Sequence, residues 1–153
     1  MESLDSRVRV VWLIGSLVTA SVVGGAIAAA GIFLFDLGYW PGVGVFTALL
    51  AIGVVLVFLR YRRWRFEVAE DAVYLERGVL THVTSVVPFV RVQHVDSQRG
   101  PVERAVGLAS VVVYTAGSRG ADVTIPGLSP DRADALRERL RRLAIESETD
   151  DAV

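Results

Sequence analysis

The sequence contains no cysteine, no lysine, two histidines and one methionine. The lack of cysteine excludes disulfides and thiolate metal sites. With only His82 and His94, a zinc ion would have to take carboxylates as its remaining ligands, so no metal or other cofactor is expected. All 16 basic residues are arginine, set against 17 Asp plus Glu for a formal net charge of −1. No overall basic field draws nucleic acid, which is not an expected partner. Charge is also missing locally. Val10 to Phe35 carries none, and neither does Leu37 to Leu59.

These two runs decide the class. At about 1.5 Å per residue the first reaches roughly 39 Å, more than a bilayer core of about 30 Å. It is too long for the apolar core of a signal peptide, and a second run follows closely. The expected division is an N-terminus over 1–9, a first span over 10–35, a short external loop over 36–42 and a second span over 43–59. A soluble domain should follow over 60–145, with an acidic, flexible tail over 146–153. Arg7 and Arg9 precede the first span, and Arg60, Arg62, Arg63 and Arg65 follow the second. The connection carries Asp36 and no arginine. The excess of arginine next to the outer ends of the pair predicts a multi-pass cell-membrane protein with both termini and the soluble domain in the cytoplasm.

Ala20, Gly24 and Ala28 recur every four positions and make a smooth stripe where a helix can approach closely. Either the second span of the same chain fills it or a second copy does. Neither span holds an ionisable residue, which argues against a pump or an intramembrane enzyme. With no polar stripe, a channel built from several hairpins is disfavoured as well.

Beyond Arg60 the pattern changes. Counting Arg60 itself, fourteen arginines balance fourteen acidic residues there. The stretches RFEVAE, AVYLERG, VLTHVTSVVPF, the run from Arg91, LASVVVYTA and ADVTIPGL read as about six strands. Arg99-Gly100-Pro101 breaks the fourth, Pro101 to Val106 suits one helical turn, and Gly117 to Gly120 suits a turn. Ser129-Pro130-Asp131 announces a helix whose Ala133, Leu136, Leu140 and Leu143 share one face. A helix of this kind closes the open side of a small β-domain.

The segment Arg91 to Gly117 carries the candidate chemistry. On a strand His94 and Asp96 share a face, like the base and orienter of a hydrolase. Such a pair needs a nucleophile, and neither Ser97 nor Ser110 sits in a Gly-x-Ser-x-Gly elbow. A structural reading has Arg91, Gln93, His94 and Asp96 fixing the strand against the helical turn, with Glu103 and Arg104 exposed and Val102 and Val106 inward. A third reading has Arg91, Arg99 and Arg104 gripping a phosphate or carboxylate.

The run Arg91-Val92-Gln93-His94-Val95-Asp96, followed by Gly100-Pro101, Arg104, Gly107-Leu108 and Thr115-Ala116-Gly117, resembles the bacterial pleckstrin-homology-like family of the YdbS type. The likeness extends over essentially the whole chain, membrane hairpin included. Val106 stands where that family often has Phe, which touches only packing. The resemblance implies an α+β fold. A transmembrane helical hairpin would lead into a PH-like antiparallel β-barrel or bent sheet with a C-terminal capping α-helix. A hairpin followed by an oligonucleotide-type barrel is the rival architecture.

Three functions follow as expectations. The first is a non-catalytic binding or scaffolding module at the cytoplasmic membrane face, with a protein partner or a homo-oligomer. The second is recognition of anionic lipid headgroups through Arg60, Arg62, Arg63 and Arg65 with the loop arginines. The third is a membrane hydrolase using His94 and Asp96.

Overall fold

The computed structural model describes residues 1–117 and 121–150. The chain divides into two compact units. Arg9–Arg60 forms one; Met1–Val8 and the chain from Tyr61 onward form the other.

The first unit is an antiparallel helix pair, α1 (Val8–Phe33) and α2 (Trp40–Arg63). Both are long and apolar enough to cross a membrane. The small-residue stripe lies against α2 of the same chain. Ala20 is fully buried. A Cβ added at Gly24 would come within 2.8 Å of the Phe46 Cβ, and one at Gly42 would collide with Ala28. At one end of the pair the Arg60 guanidinium lies 4.2 Å from the Trp12 ring centroid, and Arg9 lies 5.6 Å from that of Phe58. The helix continues past the uncharged run, so Arg60, Arg62 and Arg63 occupy its last turn.

The second unit holds two antiparallel sheets. β1 (Glu2–Ser3), β2 (Arg65–Val68), β3 (Ala72–Arg77) and β4 (Val83–Pro88) form one, in that order. After a 3-10 turn at Phe89–Arg91, β5 (Val92–Gln98), β6 (Ala109–Thr115) and β7 (Val123–Leu128) form the other. Helix α3 (Pro101–Val106) joins β5 to β6. Helix α4 (Pro130–Asp150) packs on β5, β6 and the 3-10 turn. The sheets do not close into a barrel, and the bent-sheet form of the expected fold is the one present. Phe66, Leu75, Phe89, Leu108, Val111, Ile125 and Leu128 fill the core, and Leu140 of α4 covers it.

β1 stands on the far side of the helix pair in sequence yet pairs with β2. Glu2 lies opposite Phe66 and Ser3 opposite Arg65. Behind it Leu4 and Val8 are only 3% and 2% exposed. Burial on that scale contributes about 1.5–3 kcal/mol per side chain. Gly127 in β7 makes room for them. It holds φ at +66°, and a Cβ there would stand 2.8 Å from the Val8 Cβ. The Asp5 amide donates to the Gly127 carbonyl at 2.7 Å, the Tyr61 hydroxyl to the Leu4 carbonyl at 3.1 Å, and Arg132 pairs with Glu2 at 2.9 Å. The N-terminal segment, expected only as a cytoplasmic end, is thus a strand and two core residues of the β-domain.

One other expectation shifts. The C-terminal helix was expected to stop before the acidic residues, but it runs through Glu146 to Asp150. The Ser147 and Thr149 hydroxyls donate to the Leu143 and Ile145 carbonyls, bonds made only on a helix. The rest of the tail, and the turn expected at Gly117–Gly120 beyond Gly117 itself, lie outside the described residues.

Candidate functional site

β5 places its polar residues along one exposed face. His94 stands opposite Tyr114 of β6, and the rings stack with centroids 4.3 Å apart. Asp96 is two residues along on the same face, its Oδ2 3.8 Å from the His94 Nε2. That is beyond hydrogen-bond range. Gln98, the next residue of that face, donates to the Tyr114 hydroxyl at 3.3 Å. Gln93 falls at a β-bulge between Val92 and His94, which turns it outward beside His94. The serines stand apart from this row. Ser97 alternates to the other face, and the Ser110 hydroxyl is engaged by Glu103.

The arginines do not gather into one cluster. Arg91 closes the 3-10 turn before β5, whereas Arg99 follows the strand's last residue. A seven-residue strand is roughly 20 Å long, too far for one anion to bridge. Arg104 is exposed on α3, on the Arg99 side. In the juxtamembrane group Arg62 is exposed, Arg63 donates to the Val79 carbonyl at 2.6 Å, and Arg65 lies on β2 opposite Glu76.

Glu103 does the fixing that the sequence reading gave to the β5 side chains. It is half-buried rather than exposed. One carboxylate oxygen accepts from the Gly100 amide at 2.8 Å and the other from Ser110. The signal was present: an acidic residue three positions after the residue that opens a helix satisfies that residue's amide. Gly107, at φ +71°, then ends α3, and its carbonyl neighbour at Val106 accepts from the Arg7 guanidinium at 3.1 Å.

Arg7 also donates to Asp5 through its backbone amide at 2.9 Å and its guanidinium at 3.1 Å. These hydrogen bonds hold the Asp5 carboxyl below its ordinary value, side chain first and backbone second, and burial opposes them only in part. A depressed folded-state value contributes stability that is complete above the unfolded value of about 3.9 and lost as pH falls through the folded one. The stability gap between the wild type and Asp5→Asn should therefore be constant near neutrality and close in acid. Thermal unfolding across that range checks it, and a gap independent of pH would contradict it.

Two concavities border these residues. One, of about 300 Å³, runs between β5 and α4 and is lined by Gln93, His94, Val95, Arg141, Ala144 and Ile145. The other, of about 310 Å³, includes Arg77, Ser85, Val87, Arg91, Thr115 and Val123. Both are at the small end of ligand clefts. Among the described residues no group of three or more His, Asp or Glu is placed to hold a metal.

The sequence that forms these two apolar helices and the sheet domain after them matches a known family. A family model described as Bacterial PH domain matches residues 13–144. The chain belongs to the bacterial PH domain family. The matched stretch takes in most of both apolar helices as well as the β-domain, so the hairpin is part of what this bacterial PH domain protein shares with its family. The UPF0699 transmembrane protein YdbS of Bacillus subtilis (strain 168) is 33% identical over 141 residues, covering 88% of this chain and 86% of the relative. No solved structure matches. The protein is a membrane protein with a PH-like module, of the YdbS type.

Proposed function

We propose that the helix pair anchors the PH-like domain at the cytoplasmic face of the cell membrane, where the domain binds a protein partner without catalysing a reaction. The observation that carries the anchoring is the shared core. Leu4 precedes the first apolar helix and Val8 opens it, Phe66 and Leu128 follow the second, and all four are buried in one β-domain. Both arms of the hairpin then belong on one side of the bilayer, and the arginines beside them favour the inner side.

The groove between β5 and α4 is the surface we assign to the partner. β5 is an edge strand of its sheet, which suits addition of an extended segment. Ile145, 52% exposed on α4, offers an apolar seat beside it, with Arg141 and Glu148 at the rim. In mild detergent the protein should migrate as a complex larger than the monomer, and Ile145→Arg should shrink it. A wild-type protein that is monomeric and recovers no partner from its native membranes would overturn this reading. The exposed arginine near the last turn of α2, Arg62, favours anionic headgroups as a second ligand.

A further inference from the structure

The β3–β4 turn, Gly78 to His82, presents an apolar residue to solvent. Leu80 is 96% exposed, more than any other large hydrophobic side chain among the described residues. The turn is closed tightly beneath it. Gly78 holds φ at +111°, and a Cβ there would run into the Thr81 carbonyl. Leu80 stands two residues on from Gly78, in the middle of this tight turn.

The turn is also tied to the last residue of α2. The Arg63 guanidinium donates to the Val79 carbonyl at 2.6 Å. Arg63 is the last residue of α2 and follows Leu59, the end of the uncharged run, by four positions. At the helical rise that is about 6 Å, within the headgroup layer of a bilayer. Arg77 directly precedes the turn and Arg65 lies on β2 opposite Glu76, the neighbour of Arg77; both arginines are exposed. One projecting leucine with arginines at the base of its turn matches the surface of an anionic bilayer, where apolar insertion and headgroup attraction act together.

We propose that this turn is a second membrane contact, with Leu80 inserted among anionic lipid headgroups. It rests on the reading that the two apolar helices span the bilayer, and it would fix the face that the domain turns toward the membrane.

The absence of cysteine makes the test direct. Single cysteines are introduced in the full chain at Thr81, at Thr124, whose side chain is exposed on β7, and at Val55 within α2, and each is labelled with an environment-sensitive fluorophore. The proteins are reconstituted in vesicles of phosphatidylcholine with phosphatidylglycerol that carry a quencher on the acyl chain. The Thr81 label should emit at shorter wavelength than the Thr124 label and be quenched by the lipid. Leu80→Asp should remove most of that quenching, and added salt or phosphatidylcholine alone should weaken it. A Thr81 label that behaves like the Thr124 label, or one indifferent to Leu80→Asp, overturns the proposal. An unquenched Val55 label would instead overturn the spanning reading itself.

Discussion

Replacing Leu4 by aspartate is expected to unfold the β-domain while leaving the helix pair in the membrane. Loss of a buried leucine costs about 2–5 kcal/mol. An unpaired carboxylate in the same apolar seat adds several kcal/mol more. The whole stability of a domain this size is only about 5–15 kcal/mol. Leu4, at 3% exposure, sits behind β1 and against Gly127, so no shift of a loop can bring the new charge to water. Protease sensitivity of the reconstituted protein measures the outcome. β2 and β7 should become cleavable in Leu4→Asp and stay protected in Ser3→Asp, whose side chain is exposed on the edge strand. Equal protection in the two variants would show that the N-terminal segment is not part of the core.

Gly127→Val should act from the other side of the same contact. The residue holds a left-handed φ of +66°, which costs a side-chain-bearing residue about 1–2 kcal/mol. The added Cβ alone would stand 2.8 Å from the Val8 Cβ and 3.2 Å from that of Leu4, and crowding of this kind costs about 1–3 kcal/mol. The two effects together predict a loss of about 2–5 kcal/mol. Chemical denaturation in detergent reads it. A loss no larger than the backbone strain alone, about 1–2 kcal/mol, would mean that the N-terminal segment leaves this seat.

The sequence made some of this fold legible and hid other parts for physical reasons. The spans were visible because a charge-free run long enough to cross a bilayer has few other uses. Helix α4 announced itself through Ser129, whose hydroxyl accepts from the Arg132 amide at 3.4 Å, and through Ala133 and Leu140, both fully buried. β1 was not visible. Two residues show no alternation, and the partner strand lies beyond both spans. Glu103 looked like a surface charge because the Ser110 hydroxyl becomes its neighbour only once α3 turns the chain back, although its spacing from Gly100 already pointed to a cap. The shared face of His94 and Asp96 was legible from strand alternation, but Gln98 and the ring that organises the row were not. Tyr114 reaches His94 through the register of β5 on β6. The arginines show the limit of spacing as a guide. Arg91 and Arg99 are close in sequence, and an extended strand holds them apart.

Labelling with a membrane-impermeant thiol reagent tests the central claim most directly. Single cysteines at Ser3, Leu37 and Asp150 mark the first strand, the connection between α1 and α2, and the end of α4. In intact cells the Leu37→Cys protein should react, while Ser3→Cys and Asp150→Cys should react only after the membrane is opened. Reaction of Ser3→Cys and Asp150→Cys from opposite sides would contradict a single domain built from both arms of the hairpin. Reaction of both from outside would contradict its placement at the cytoplasmic face.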